Sequence, residues 1–132
     1  MNKIEYRINH PLSVDQAIDI FRSSGINRPI DDKDRIAKMF SRYDILITAW
    51  IDNEPIALSR SLSDMCYCCY LSDLAVKKEY QKMGIGKKLI EMTHEAATEK
   101  ATLILLAAPS AVDYYPKVGM DKMPACYIIK RT

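Results

Sequence analysis

A fold of the mixed α/β class and α+β type, a mostly antiparallel sheet flanked by helices, is what this sequence predicts, and three observations predict it. Short β-rich segments, some alternating and some apolar throughout, recur along the chain. Segments of helical period stand between them. Between residues 65 and 108 strand, helix and strand follow in turn, which predicts parallel neighbours joined by a right-handed crossover.

In "KIEYRIN" Ile4, Tyr6 and Ile8 alternate with charged neighbours, as in a half-buried strand. Ser13 and Gln16 stand at capping-box spacing, and Val14, Ala17, Ile18 and Phe21 make an apolar stripe that stops at Gly25, so a helix is predicted there. "INRPI" is a loop, because Pro29 disfavours helical backbone at Arg28. A second short helix is expected from about Asp32 to Arg42, with Ile36, Met39 and Phe40 on one side and acidic residues near its start. "ILITAWI" (45–51), the turn "DNEP" and the alternating "IALSRSL" then predict a hairpin. "MCYCCYLSDLAV" (65–76) reads as the next strand, followed by a helix carrying Leu89, Met92, Thr93 and Ala96 to about Lys100. "TLILLAA" (102–108) reads as a buried strand. A short helical piece around "SAVDYYPKVG" and a closing strand "ACYIIKR" complete the prediction.

At 132 residues, 48% of them apolar, the chain is read as one domain over 1–132 with a sizeable core. Its net charge of +2, from 19 basic and 17 acidic residues, is too balanced for a protein whose main work is wrapping nucleic acid. The N-terminus shows no apolar run like a leader peptide, and no segment approaches the roughly 18 apolar residues of a spanning helix. A soluble, cytoplasmic protein with no membrane or nucleic-acid partner is therefore expected. The cysteines fit that expectation. Cys66 and Cys68 are expected on one strand face and Cys69 on the other, as small buried hydrophobes, with Cys126 apart. With no C-x-x-C and no clustered histidine, no metal site is expected.

The stretch "KKEYQKMGIGKK" (77–88) asks for a chemical explanation, since two glycines stand one residue apart among five lysines where a strand yields to a helix. A helix start presents unpaired N–H groups and the positive end of the dipole, and glycines let a bulky anion approach that backbone. Lysines in a first turn oppose the dipole, a conflict that an anion would relieve. The pattern is not a Walker loop, which needs Gly at position 81 and Ser or Thr at 88, nor a dinucleotide fingerprint, which needs a third glycine at 89. What remains is Q-x-x-G-x-G, written as Gln81, Gly84 and Gly86. Taken alone, the loop is equally a tight turn with solvated lysines.

Over eighteen residues, "DLAVKKEYQKMGIGKKLI" resembles the signature of the GNAT superfamily of acyl-CoA-dependent N-acetyltransferases, a [QR]-x-x-G-x-[GA] loop after a strand with an apolar-Val end. Downstream, "AVDYYPKVGM" is similar to that family's A-x-x-F-Y-x-x-x-G-F segment, with Tyr115 at the tyrosine position and Gly119 at the glycine. Met120 stands where the family has Phe, and Ser110 with Ala111 where many members carry an asparagine.

The resemblance implies a GNAT-like fold, acetyl-CoA as donor and a primary amine, small-molecule or peptide, as acceptor. It implies that backbone groups from Gln81 through Lys82, Met83, Gly84, Ile85, Gly86 and Lys87 hold the pyrophosphate, and that Leu74, Ala75 and Val76 hold the pantetheine arm like an added strand. Lys82, Lys87 and Lys88 stand as phosphate partners or as plain surface charge. Asp73 stands as general base or as a structural acid, and a Leu74 N–H as oxyanion donor. Tyr115 would protonate the departing thiolate, with core packing as its other reading, while Tyr114 is read as a core aromatic. For the acceptor, the resemblance points to "GINRPI", Trp50, Arg60 and Tyr70, with Arg28 or Arg60 able to hold an acidic group.

Direct transfer in a ternary complex is the leading expectation, since no cysteine occupies a nucleophile motif. A non-catalytic acyl-CoA-binding module of the same fold is the alternative. The apolar end "ACYII" suits a homodimer edge and equally a closing strand in a monomer.

Overall fold

Strands form where the β-rich segments lie, because each can satisfy its backbone against a neighbour and bury one or both faces. The structure is a computed structural model that describes residues 3–132, so Met1 and Asn2 of the stretch read above for a leader lie outside the described residues. Five strands, β1 (Glu5–Ile8), β2 (Ile45–Ile51), β3 (Glu54–Ser63), β4 (Cys68–Val76) and β5 (Thr102–Ile104), form one sheet in chain order. The pairs from β1 to β4 are antiparallel and β4–β5 is parallel, as the strand–helix–strand order predicts.

Helix α1 (Val14–Ser24) starts at the predicted capping box, with the Gln16 amide donating to Ser13 Oγ at 3.1 Å and the Ser13 amide to Gln16 Oε1 at 2.9 Å. It stops at Gly25, whose φ of 80° is the left-handed conformation that closes a helix. Helix α2 (Lys33–Phe40) is capped by Asp32. These two cover one sheet face, burying Ile18, Ile20, Phe21 and Ile36 against Leu58 and Ala75. Helix α3 (Ile85–Ala97) covers the other, with Ile85 and Leu89 against Ile45, Ile47, Ala57 and Cys69. Each fully buried Ile, Leu or Phe side chain among them contributes roughly 1.5–3 kcal/mol of transfer free energy. A short helix α4 (Tyr114–Lys117) follows a 3-10 turn at Pro109–Ala111.

One irregularity matters for function. Arg60 pairs with Asp73 and Ser61 with Leu71, so Ser72 is an extra residue in β4 and forms a bulge. Strict alternation from Cys69, which faces α3, would send Asp73 to that same face. The bulge reverses the parity: Leu74 and Val76 pack toward α3, while Ala75 packs toward α1 and α2. Asp73, two residues before Ala75, is thereby delivered to the α1–α2 side.

Several expected boundaries move. β4 begins at Cys68 rather than at residue 65, because Asp64 folds the chain into a bend, its Oδ1 accepting the amides of Cys66, Tyr67 and Cys68 at 2.8–3.1 Å. Cys66 and Cys68 are in consequence exposed, and only Cys69 is the small buried hydrophobe expected of the group. β5 ends at Ile104 instead of running to 108, since β4 offers it a ladder only at Cys68, Cys69 and Tyr70. α2 stops two residues before Arg42 and α3 three before Lys100, where Thr98 takes a φ of 81°. "ACYIIKR" forms no strand: with no ladder partner its propensity is not enough, and Tyr127, Ile128 and Ile129 are exposed.

Candidate active site

The loop that leaves β4 is fastened before it reaches the glycines. Lys77 is almost enclosed and places its ammonium 2.8 Å from the Asp19 carboxylate, while its amide donates to the Ile56 carbonyl at 2.9 Å. After a 3-10 turn at Lys78–Tyr80, the Gln81 side-chain amide reaches back to the Val76 carbonyl at 2.9 Å, holding the loop against the strand end. The family-pattern glutamine therefore serves as a clamp, and its own amide donates to the Lys78 carbonyl at 3.3 Å.

Beyond the clamp the backbone turns left-handed at Lys82 (φ 66°) and Gly84 (φ 82°), and α3 begins with Gly84 as its cap. No side chain caps this helix among the described residues, and its first turn carries no acid. The N–H groups of Ile85, Gly86 and Lys87 thus keep the partial positive charge of the dipole. Ile85 is only 2% exposed and belongs to the core, so at this position the backbone alone is available to a ligand. Lys82, Met83, Lys87 and Lys88 are exposed.

The tyrosine segment meets the glycine loop here. A Cβ added to Gly86 would lie 2.8 Å from the Tyr114 hydroxyl, so the missing side chain makes room for that phenol over the first turn of α3. Tyr114, read from sequence as a core aromatic, is instead about one-third exposed, at 37%. Its ring lies edge-on to Tyr115 at 5.2 Å. Burial, and then the neighbouring Tyr114, push the Tyr115 phenol above its ordinary value, and burial does the same for Tyr114. Both are therefore protonated proton donors at neutral pH.

The third part is the strand itself. Past Tyr70, β4 keeps β3 on one side but has no ladder with β5 on the other, so the edge carrying Leu74, Ala75 and Val76 parts from the chain at 105–108. An extended ligand could add there by strand-like hydrogen bonds.

Asp73 is fully buried and bridges two arginines. Its Oδ1 accepts Arg28 Nε and its Oδ2 accepts Arg60 Nε, both at 2.5 Å. Arg60 also donates to the Met39 and Arg42 carbonyls at 3.2 and 3.0 Å, tying the end of α2 to the sheet. Arg28 donates to the Ser72 carbonyl at 2.7 Å, at the bulge. Sequence reading named these three residues separately; the bulge that joins them leaves no signal in a single sequence.

Trp50 stands apart, between the Arg7 guanidinium at 3.9 Å from its ring centroid and the His10 ring. Along β2 it is four residues from Leu46, the partner of Arg60, or about 13 Å. An open cleft of ≈ 250 Å³ is lined by Asn27, Arg28, Pro29, Arg35 and Arg131, of which sequence reading found only the loop residues. A larger hollow of ≈ 390 Å³ at α1 carries both signs of charge and none of the loop or tyrosine residues. Neither Cys66 nor Cys69 is an activated thiol: Asp64 raises the Cys66 pKa and burial raises that of Cys69. No group of three metal-ligating side chains gathers among the described residues.

The sequence that builds this loop, helix start and tyrosine segment lies within a match to the acetyltransferase (GNAT) domain family, which covers residues 15–125. The chain belongs to the GNAT acetyltransferase family. GCN5-related N-acetyltransferase 1, chloroplastic, of Arabidopsis thaliana is 25% identical over 124 residues, covering 89% of this chain and 61% of that protein. The chain spans less than two thirds of the length of each curated relative it matches. Among solved structures, a probable acetyltransferase of meticillin-resistant Staphylococcus aureus superposes with a TM-score of 0.81 at 18% identity, over 98% of this chain and 99% of that one. An aminoglycoside N-acetyltransferase in complex with CoA gives a TM-score of 0.75 at 12% identity, over 99% and 96%. These likenesses establish the GNAT fold, a mixed five-stranded sheet flanked by helices. No helix among the described residues is long and apolar enough to cross a membrane.

Proposed function

We propose that this GNAT chain, acting as a single domain over 1–132, is an N-acetyltransferase that moves the acetyl group of acetyl-CoA to a primary amine in a ternary complex. The observation that carries the reading is the uncapped N-terminus of α3, with open space around Gly84, beside the unpaired end of β4. The site fits acetyl-CoA chemically: first-turn N–H groups suit a pyrophosphate, and a free strand edge suits the amides of pantetheine. Bound there, acetyl-CoA supplies an activated acyl thioester.

The chain's own residues then divide the work. The amides of Met83 to Lys87 hold the pyrophosphate, with Gln81 fastening the loop and Lys82 and Lys87 adding charge around it. Leu74, Ala75 and Val76 align the arm, and the Leu74 N–H donates to the carbonyl oxygen as negative charge gathers there. A typical alkylammonium, with a pKa of about 10, must shed its proton to solvent before it attacks. As the C–N bond forms and the C–S bond breaks, Tyr115 gives its phenolic proton to sulfur, the attacking nitrogen releases its second proton to water, and Tyr115 is reprotonated from water, so that amide and thiol leave neutral. Asp73 has both oxygens taken by guanidinium groups, so in this account it positions Arg28 and Arg60 rather than accepting the amine proton.

That engagement of Asp73 also supports the second reading, an acyl-CoA-binding module without turnover. Release of CoA in the presence of a broad amine panel distinguishes the two: turnover establishes the transferase, whereas tight acetyl-CoA binding with no release for any amine establishes the module. The compartment in this account is the cytoplasm, which suits the exposed free thiols of Cys66, Cys68 and Cys126.

A further inference from the structure

We propose that the cleft lined by Arg28, Arg35 and Arg131 recognises an oxyanion, a carboxylate or a phosphate, on a small acceptor amine; this rests on the acetyltransferase reading of the neighbouring site. The cleft brings together three guanidinium groups from the α1–α2 connection, the first turn of α2 and the C-terminal tail, and no acidic side chain lines it. Asp31, Asp32 and Asp34 are close in sequence but are not part of its wall. Among the described residues neither Arg35 nor Arg131 stands in an ion pair.

Arg28 is the fixed member. Its three bonds, to Asp73 at 2.5 Å and to the Asn27 and Ser72 carbonyls at 2.7 Å each, hold the guanidinium in one orientation. A guanidinium has five N–H donors, so two remain for a ligand. Its charge is not cancelled. Asp73 carries one negative charge against the two positive charges of Arg28 and Arg60, and the surplus surfaces at Arg28, whose side chain is 24% exposed against 8% for Arg60. A planar, preorganised fork beside two free ones suits bidentate recognition of an oxyanion.

Position and size narrow the ligand. Arg28 holds Ser72 and Asp73, the two residues before Leu74, so an anion seated on Arg28 is anchored to the strand that leads into the edge assigned to the donor. At ≈ 250 Å³ the open cleft has room for a small anionic group and its immediate neighbours, which a small amine bearing a carboxylate or phosphate supplies.

The test measures KM for matched amines with and without the anion. Lysine is paired with cadaverine and phenylalanine with phenethylamine for carboxylate, and phosphoethanolamine with ethanolamine for phosphate. The inference expects at least one anionic member to show a KM lower by about tenfold or more, the scale of a charge-assisted hydrogen bond. Which pair responds identifies the anion. In the Arg35→Ala, Arg131→Ala double variant, whose changes lie on the surface, that ratio should fall several-fold, with the remainder carried by Arg28. Equal KM values within every pair, or a ratio undiminished in the variant, overturns the inference while leaving acetyl transfer standing. If no amine is acetylated, the same compounds are titrated directly by calorimetry. Binding of an anionic member that the variant loses upholds the cleft even though the transferase reading has failed, and absence of binding overturns it.

Discussion

Tyr115 and Asp73 carry the sharpest expectations at the scale of single residues. Replacing Tyr115 by Phe removes one hydroxyl and little packing, so turnover should fall by about 100-fold with acetyl-CoA affinity unchanged. Because burial holds the phenol above its ordinary value of about 10, wild-type turnover should show no alkaline loss from this group below that pH. Unchanged turnover in Tyr115→Phe would remove the residue from the mechanism. Asp73→Asn leaves two buried or half-buried guanidinium groups without their counter-charge, and breaking such a network costs about 3–5 kcal/mol. A large drop in melting temperature is therefore expected. A variant as stable as wild type but inactive would return Asp73 to the role of base. Sequence reading reached both residues through the family pattern. It could not reach the Tyr114 hydroxyl over Gly86, because nothing in the order of residues states which side chain a glycine makes room for.

Elements defined by local chemistry were legible, and those defined by partners were not. Ser13, Gln16 and Gly25 mark α1 at both ends through contacts within a few residues, and the structure places the helix between them. The strand read from residue 65 fails for an equally local reason that a period-2 scan does not weigh: Asp64 takes three successive amides and bends the chain. Those three bonds hold the Asp64 carboxyl well below the usual carboxylate range. A depressed pKa stabilises the fold above the unfolded value of about 3.9 and is lost as pH falls below it. Asp64→Ala should therefore lower the melting temperature at neutral pH, with the gap to wild type narrowing as the medium is acidified below about pH 4. A gap independent of pH would mean that the bend does not depend on the charge. The Ser72 bulge and the absent C-terminal strand are failures of the other kind, since register and ladder partners belong to neighbouring strands.

At the scale of the whole molecule, one sheet serves as the wall between two cores and as the platform for two sites. α3 packs on one face and brings its uncapped end to the tip of β4; α1 and α2 pack on the other and bring the arginine cleft to the same strand. The near-neutral total charge of +2 hides this division, because a local cluster of lysines and another of arginines are offset by acids elsewhere. Acetyl transfer as proposed depends most on the first of these sites. The measurement that tests it most directly is calorimetric titration of the folded protein with acetyl-CoA, beside a Gly86→Asp variant checked by circular dichroism. An aspartate in the first turn suits the helix dipole, so the helix should persist, while its side chain takes the place of the Tyr114 hydroxyl and sets a negative charge beside the first-turn amides. Micromolar binding by the wild type, weakened about tenfold or more in the variant, is the predicted result. Folded wild-type protein that binds no acetyl-CoA, or a variant that binds it equally well, would contradict the placement of the donor on this loop.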